Sequence, residues 1–111
     1  MQEPIVTLNL LAQIPGGDQF PITLAIGRPY QIRSNPDVWA CAVTVDPLTP
    51  DLNDRMGGDA LRALDMATYL ALDVLCSFRA DGGRILSPDG SDYPIEALDS
   101  ILNRANLMDR I

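Results

Sequence analysis

The sequence contains no histidine and no lysine, and all eight of its basic residues are arginines. Together these two absences remove most of the usual catalytic equipment. Histidine is the commonest general base near neutral pH and the commonest transition-metal ligand. Arginine stays protonated at any usable pH, so it cannot stand in for lysine as a base or an amine nucleophile. Serine, threonine and cysteine are present, but no histidine is available to activate them. A pair of carboxylates is the remaining route to acid–base work. The acids, however, fall mostly in loops or on a polar helix stripe, with no apolar pocket evident around them. The expectation is a protein that is not an enzyme.

Other absences bound location and redox state. The start, MQEPIVTL, has no basic region ahead of an apolar core, so it does not read as a secretory signal. No run approaches the roughly 18 apolar residues of a membrane span, because Asp65 and Asp73 interrupt the best candidate. A cytoplasmic chain is expected. Cys41 and Cys76 sit on different predicted elements among apolar neighbours, which suggests buried thiols rather than a disulfide or an activated thiolate. No internal repeat or low-complexity tract is visible.

What is present is a chain of 111 residues, 47% hydrophobic, enough for one domain (1–111) with a real core. Fifteen acidic residues give it a formal charge of −7. That sign repels phosphate, so direct contact with nucleic acid or an anionic membrane is disfavoured and a basic protein surface is the better partner. Acidity also keeps a small protein soluble.

The chain is organised around Asp59 to Arg79, whose helical pattern is long and unbroken. Asp59 is placed to cap it and Gly82-Gly83 to stop it. Leu64, Ala67, Thr68, Ala71, Val74, Leu75 and Phe78 share one face, with Leu61, Leu70 and Leu72 on the flanks. An arc that wide predicts a helix covered on two sides. Before it, Pro4–Leu11 and Phe20–Ile26 alternate as two strands around the turn Pro15-Gly16-Gly17-Asp18. Val38–Val45 alternates as a third strand, with Trp39, Cys41, Val43 and Val45 inward. Small residues such as Thr7, Thr23, Ala25, Ala40, Ala42 and Thr44 then form the opposite face. Tyr30–Pro36 and Asp46–Met56 read as irregular crossings. After the helix, Arg84–Ser87 is a short β-capable segment. A second helix is expected from near Pro94, with apolar positions Ile95, Leu98, Ile101, Leu102, Ala105 and Met108. The expected class is α+β: a three-stranded antiparallel meander packed on one long central helix, a short β segment or hairpin, then a C-terminal helix.

Metal and phosphate motifs are weak. Asp46, Asp51, Asp54 and Asp59 crowd the loop before the helix, where oxygen ligands would suit Ca²⁺ or Mg²⁺. Neither their spacing nor Asp89-Gly90-Ser91-Asp92 fits an EF-hand, and loop aspartates more often cap helices and make turns. The diglycines at 16–17, 57–58 and 82–83 lack the phosphate-loop and dinucleotide spacings and read as turn formers. No metal and no cofactor is expected.

Three local patterns together resemble a family of small uncharacterised bacterial domains. They are Ile26-Gly27-Arg28-Pro29 ending a strand, Trp39-Ala40-Cys41 within the next, and Gly57-Gly58-Asp59-Ala60-Leu61 opening a helix that continues Ala63-Leu64. The resemblance implies an α+β domain of this size and carries over no activity, cofactor or catalytic residue. Such domains look like those found beside bacterial toxins and other conflict systems, which implies an immunity or inhibitor role. By itself, the residue chemistry of the matched positions is structural: core for Trp39 and Cys41, turn for Gly27 and Pro29.

These readings converge on a small acidic protein-binding module, of the inhibitor or immunity kind, acting on a basic partner. The expected contact residues are the acids Asp46, Asp51 and Asp54 of the loop before the helix, and Asp89 and Asp92 of the late turn. The alternative is a structural homo-oligomer, such as a homodimer, or an accessory subunit that pairs through the small-residue sheet face or the wide helix.

Overall fold

A computed structural model describes residues 3–49 and 52–98. Among those residues the class is α+β, with two antiparallel sheets packed on one α-helix. Strands β1 (Val6–Gln13) and β2 (Gln19–Ile26) form the hairpin, in register from Val6 opposite Ile26 to Gln13 opposite Gln19. Gly16 turns it with φ +71°, a left-handed conformation that glycine adopts without penalty. Strands β3 (Tyr30–Ile32), β4 (Asn35–Cys41), β5 (Val43–Asp46) and β6 (Arg55–Gly57) follow, then helix α1 (Ala60–Ala80) and strand β7 (Arg84–Leu86). The four-stranded sheet has the order β5-β2-β1-β7 and the three-stranded sheet β3-β4-β6.

The expected meander is corrected at its third strand. Val38–Val45 keeps its alternation, and Cys41, Val43 and Val45 are all buried on the inner side. Yet the strand breaks at Ala42: Val43 to Asp46 pairs with β2, while Trp39 to Cys41 pairs with β6 and, through Trp39 and Ala40, with β3. Alternation reports which face a residue takes and carries nothing about which neighbour bonds to it. The supposed crossings at Tyr30–Pro36 and Asp46–Met56 supply β3, the start of β4, and β6. Ala40, expected on a half-wet face, is fully buried. Close to Pro94, the described residues form a 3₁₀ turn, Ile95–Leu98, with Ile95 in the core. The remaining positions of the expected C-terminal helix, Ile101, Leu102, Ala105 and Met108, lie outside the described residues.

Helix α1 sits against both sheets, contacting β4 and β6 of one and β2, β5 and β7 of the other. Its buried row is Ala63, Ala67, Ala71 and Leu75, spaced by four, with Leu72 beside it. Three alanines in that row let the helix axis lie close to the strands. The larger side chains come from the sheets: Leu10, Ile22, Leu24, Ile26, Val43, Val45 and Ile85. Each such side chain contributes about 1.5–3 kcal/mol on burial. Both helix ends are closed by local chemistry. Asp59 is the N-cap, accepting the Arg62 N–H at 2.8 Å. At the other end Gly82 donates to Arg79 O and Gly83 to Phe78 O, with Gly82 at φ +98°, the Schellman arrangement.

Candidate functional site

The switch of sheets at Ala42 leaves a notch on the outer side of the molecule. Two backbone bonds close its floor: Gly27 N–H to Ala42 O at 2.9 Å and Ile5 N–H to Ile26 O at 2.8 Å. Gly27-Arg28-Pro29 then leads from β2 into β3 along one wall, and Asp54, just ahead of β6, stands on the other. The result is a cleft of about 880 Å³ whose lining includes Glu3, Ile5, Gly27, Arg28, Tyr30, Ala42 and Asp54.

The register of the three-stranded sheet explains how Tyr30 and Asp54 meet. Tyr30 is opposite Ala40 on one side and Met56 is opposite Ala40 on the other, so all three share a face. Period-two alternation adds Val38, Ala42 and Asp54 to that face. Strands lie about 4.8 Å apart, so a side chain from β3 must pass over β4 to reach the β6 side. Tyr30 does so: its hydroxyl donates a hydrogen bond to Asp54 Oδ2. Ala40 and Ala42 beneath are small enough to leave that path open, and Ala40 is fully covered while Tyr30 stays 44% and Met56 56% exposed.

Charge and burial act on this cluster together. The hydrogen bond to Asp54 raises the Tyr30 phenol above its ordinary pKa, with burial and the Asp54 charge adding to it. Under the sheet, Cys41 donates its thiol to Gly27 O at 3.2 Å. Burial, then the Asp54 charge, raises the Cys41 pKa, which favours the protonated thiol. Neither Cys41 nor Cys76 is in a disulfide. Among the described residues, no three of histidine, cysteine, aspartate and glutamate converge as a metal site. No helix there is long and apolar enough to cross a membrane.

The acids singled out from the sequence separate. Asp54 belongs to the cleft. Asp46 is exposed at the far end of β5, opposite Thr23, about 10 Å along the sheet from the Ile26 end of β2. Asp51 lies outside the described residues. Asp89 and Asp92 sit beside β7, on the opposite edge of the four-stranded sheet from β5, and both have local work. Asp89 accepts from the Ser91 N–H at 3.0 Å and hydroxyl at 2.6 Å, which lowers its pKa, and Gly90 completes the turn with φ +91°. Asp92 pairs with Arg84 at 2.8 Å. Among the described residues, Asp46, Asp54, Asp89 and Asp92 do not gather in one patch.

Sequence reasoning missed Tyr30, Met56, Ile5, Glu3 and Arg28. A three-residue strand such as Arg55–Gly57 is too short to show alternation, and Tyr30 lies in a polar, turn-rich stretch without a strand pattern. One signal was present: the Ile26-Gly27-Arg28-Pro29 pattern contributes three of its residues to the cleft wall. No family model matches the chain, and no curated protein or solved structure does either.

Proposed function

We propose that this chain is a small acidic protein-binding module, of the inhibitor or immunity kind, without catalytic activity of its own. The observation that carries the reading is the outer face of the three-stranded sheet. Tyr30 and Met56 stand exposed there around the buried Ala40, next to the cleft that holds Asp54. Tyrosine and methionine are enriched in protein interfaces, and tyrosine is a frequent hot-spot residue. The net charge of −7 favours a basic partner and steers its approach. Contact then centres on Tyr30, Met56 and Asp54, with Asp46 at its periphery, rather than on Asp89 and Asp92.

The test compares captures from host lysate by wild type, Tyr30→Ala/Met56→Ala and Asp89→Asn/Asp92→Asn, at low and high salt. The reading expects a basic protein retained by wild type and by the late-turn variant, released at high salt and lost by the Tyr30/Met56 variant. Equal retention by all three proteins sinks it. If wild type captures only itself and sediments as a dimer that the Tyr30/Met56 changes dissolve, the same face makes a homo-oligomer instead.

A further inference from the structure

Resting on that protein-binding reading, we propose that the cleft at the Ala42 switch seats a cationic side chain of the partner, arginine in preference to lysine. Its head group lies against the Asp54 and Glu3 carboxylates and its stem over Ile5 and the Tyr30 ring. Four features of the cleft favour this occupant over an anionic or purely apolar one.

The first is its charge: the lining includes two carboxylates, Glu3 and Asp54, and one guanidinium, Arg28. Among the described residues Arg28 makes no ion pair with either acid. The second is the state of Asp54. Its Oδ2 accepts from Tyr30, whereas Oδ1 makes no hydrogen bond among the described residues, and the half-buried side chain lines the cleft. An arginine offers a planar fork of N–H donors to such a carboxylate, which a lysine ammonium does not. The third is the Tyr30 ring itself, exposed at the mouth and tethered by its hydroxyl. A ring held in place gives an apolar surface and a π face to a cation at little further ordering cost. The fourth is size. At about 880 Å³ the cleft is within the range of peptide- and ligand-sized pockets and larger than one side chain, so it accepts neighbouring residues of an extended segment as well. Arg28 on the wall then has backbone carbonyls of that segment to donate to.

The measurement is an NMR titration of the ¹⁵N-labelled protein with the blocked peptide acetyl-Gly-Ala-Arg-Ala-Gly-amide and with its citrulline counterpart. Citrulline keeps the shape of arginine and removes the charge. The expected result is shifts centred on the amides of Gly27, Tyr30, Ala42 and Asp54, with the arginine peptide about tenfold tighter, the scale of one charged hydrogen bond. Asp54→Asn, which still offers the Tyr30 hydroxyl an acceptor, erases that preference, and Glu3→Gln reduces it. Asp89→Asn leaves it intact. Equal affinity for the two peptides, shifts confined to other surfaces, or no shift from either peptide overturns the proposal. If a basic partner is nevertheless captured by wild type and lost by the Tyr30/Met56 variant, the protein-binding reading survives and only the cation seat fails.

Discussion

Tyr30 shows how one side chain ties local chemistry to the site. Its neutral phenol donates to the Asp54 carboxylate, and ionisation would replace that bond with two facing negative charges. Because the folded-state pKa is raised, the stabilisation is fully present below the unfolded value of about 10 and is lost as pH climbs through the folded value. Removal of the hydroxyl abolishes this dependence at Tyr30 alone. The expected outcome is that Tyr30→Phe is less stable than wild type near neutrality and that the gap closes on the alkaline side of about pH 10. Urea denaturation of both proteins across that range measures it. A gap independent of pH would mean that the hydrogen bond is absent in solution. The buried Cys41 thiol has the same sign of shift and is present in both proteins.

At the scale of elements, the close approach is between β6 and the first turn of α1. A Cβ placed on Gly57 would lie 2.5 Å from the Ala63 backbone nitrogen and 2.8 Å from the Arg62 carbonyl carbon. Those are backbone atoms of a capped helix and cannot swing aside as a flexible side-chain tip would. Gly57 has no positive φ to defend, so its requirement is space. Gly57→Ala is therefore expected to lower stability by about 1–3 kcal/mol, as overpacking does. Gly58→Ala would meet only the end of the Arg62 side chain at 3.4 Å and serves as the control. Urea midpoints of the two variants against wild type decide the matter, and equal midpoints would refute the contact. The diglycine that suggested a phosphate cradle is explained at Gly57 by packing.

For the whole molecule, the question is whether two sheets make one unit. Strands β4 and β5 are separated only by Ala42, and α1 spans both sheets, so neither has a core of its own. Unfolding is expected to be a single cooperative transition. Trp39, the sole tryptophan, sits on β4 of the three-stranded sheet and reports that part by fluorescence, while far-UV circular dichroism is dominated by the helix. The two denaturation curves should superimpose. A fluorescence transition at lower denaturant would show that the three-stranded sheet, and the candidate site with it, opens separately.

Much of this was legible from residues alone. Asp59 and Gly82-Gly83 mark the ends of the helix because capping is local, a matter of three or four residues. The hairpin of β1 and β2 and the inward set Cys41, Val43 and Val45 follow from alternation, which is also local. The missing histidine and lysine narrow the chemistry by composition alone. The tertiary structure alone decided that one alternating run serves two sheets, because hydrogen-bond partners are chosen by distant strands. It also decided that Asp54 joins Tyr30 while Asp89 and Asp92 spend their charge on a turn and on Arg84. Side-chain neighbours across strands separated by twenty or more residues leave no periodic trace in the chain, so the cleft was invisible until the strands were paired.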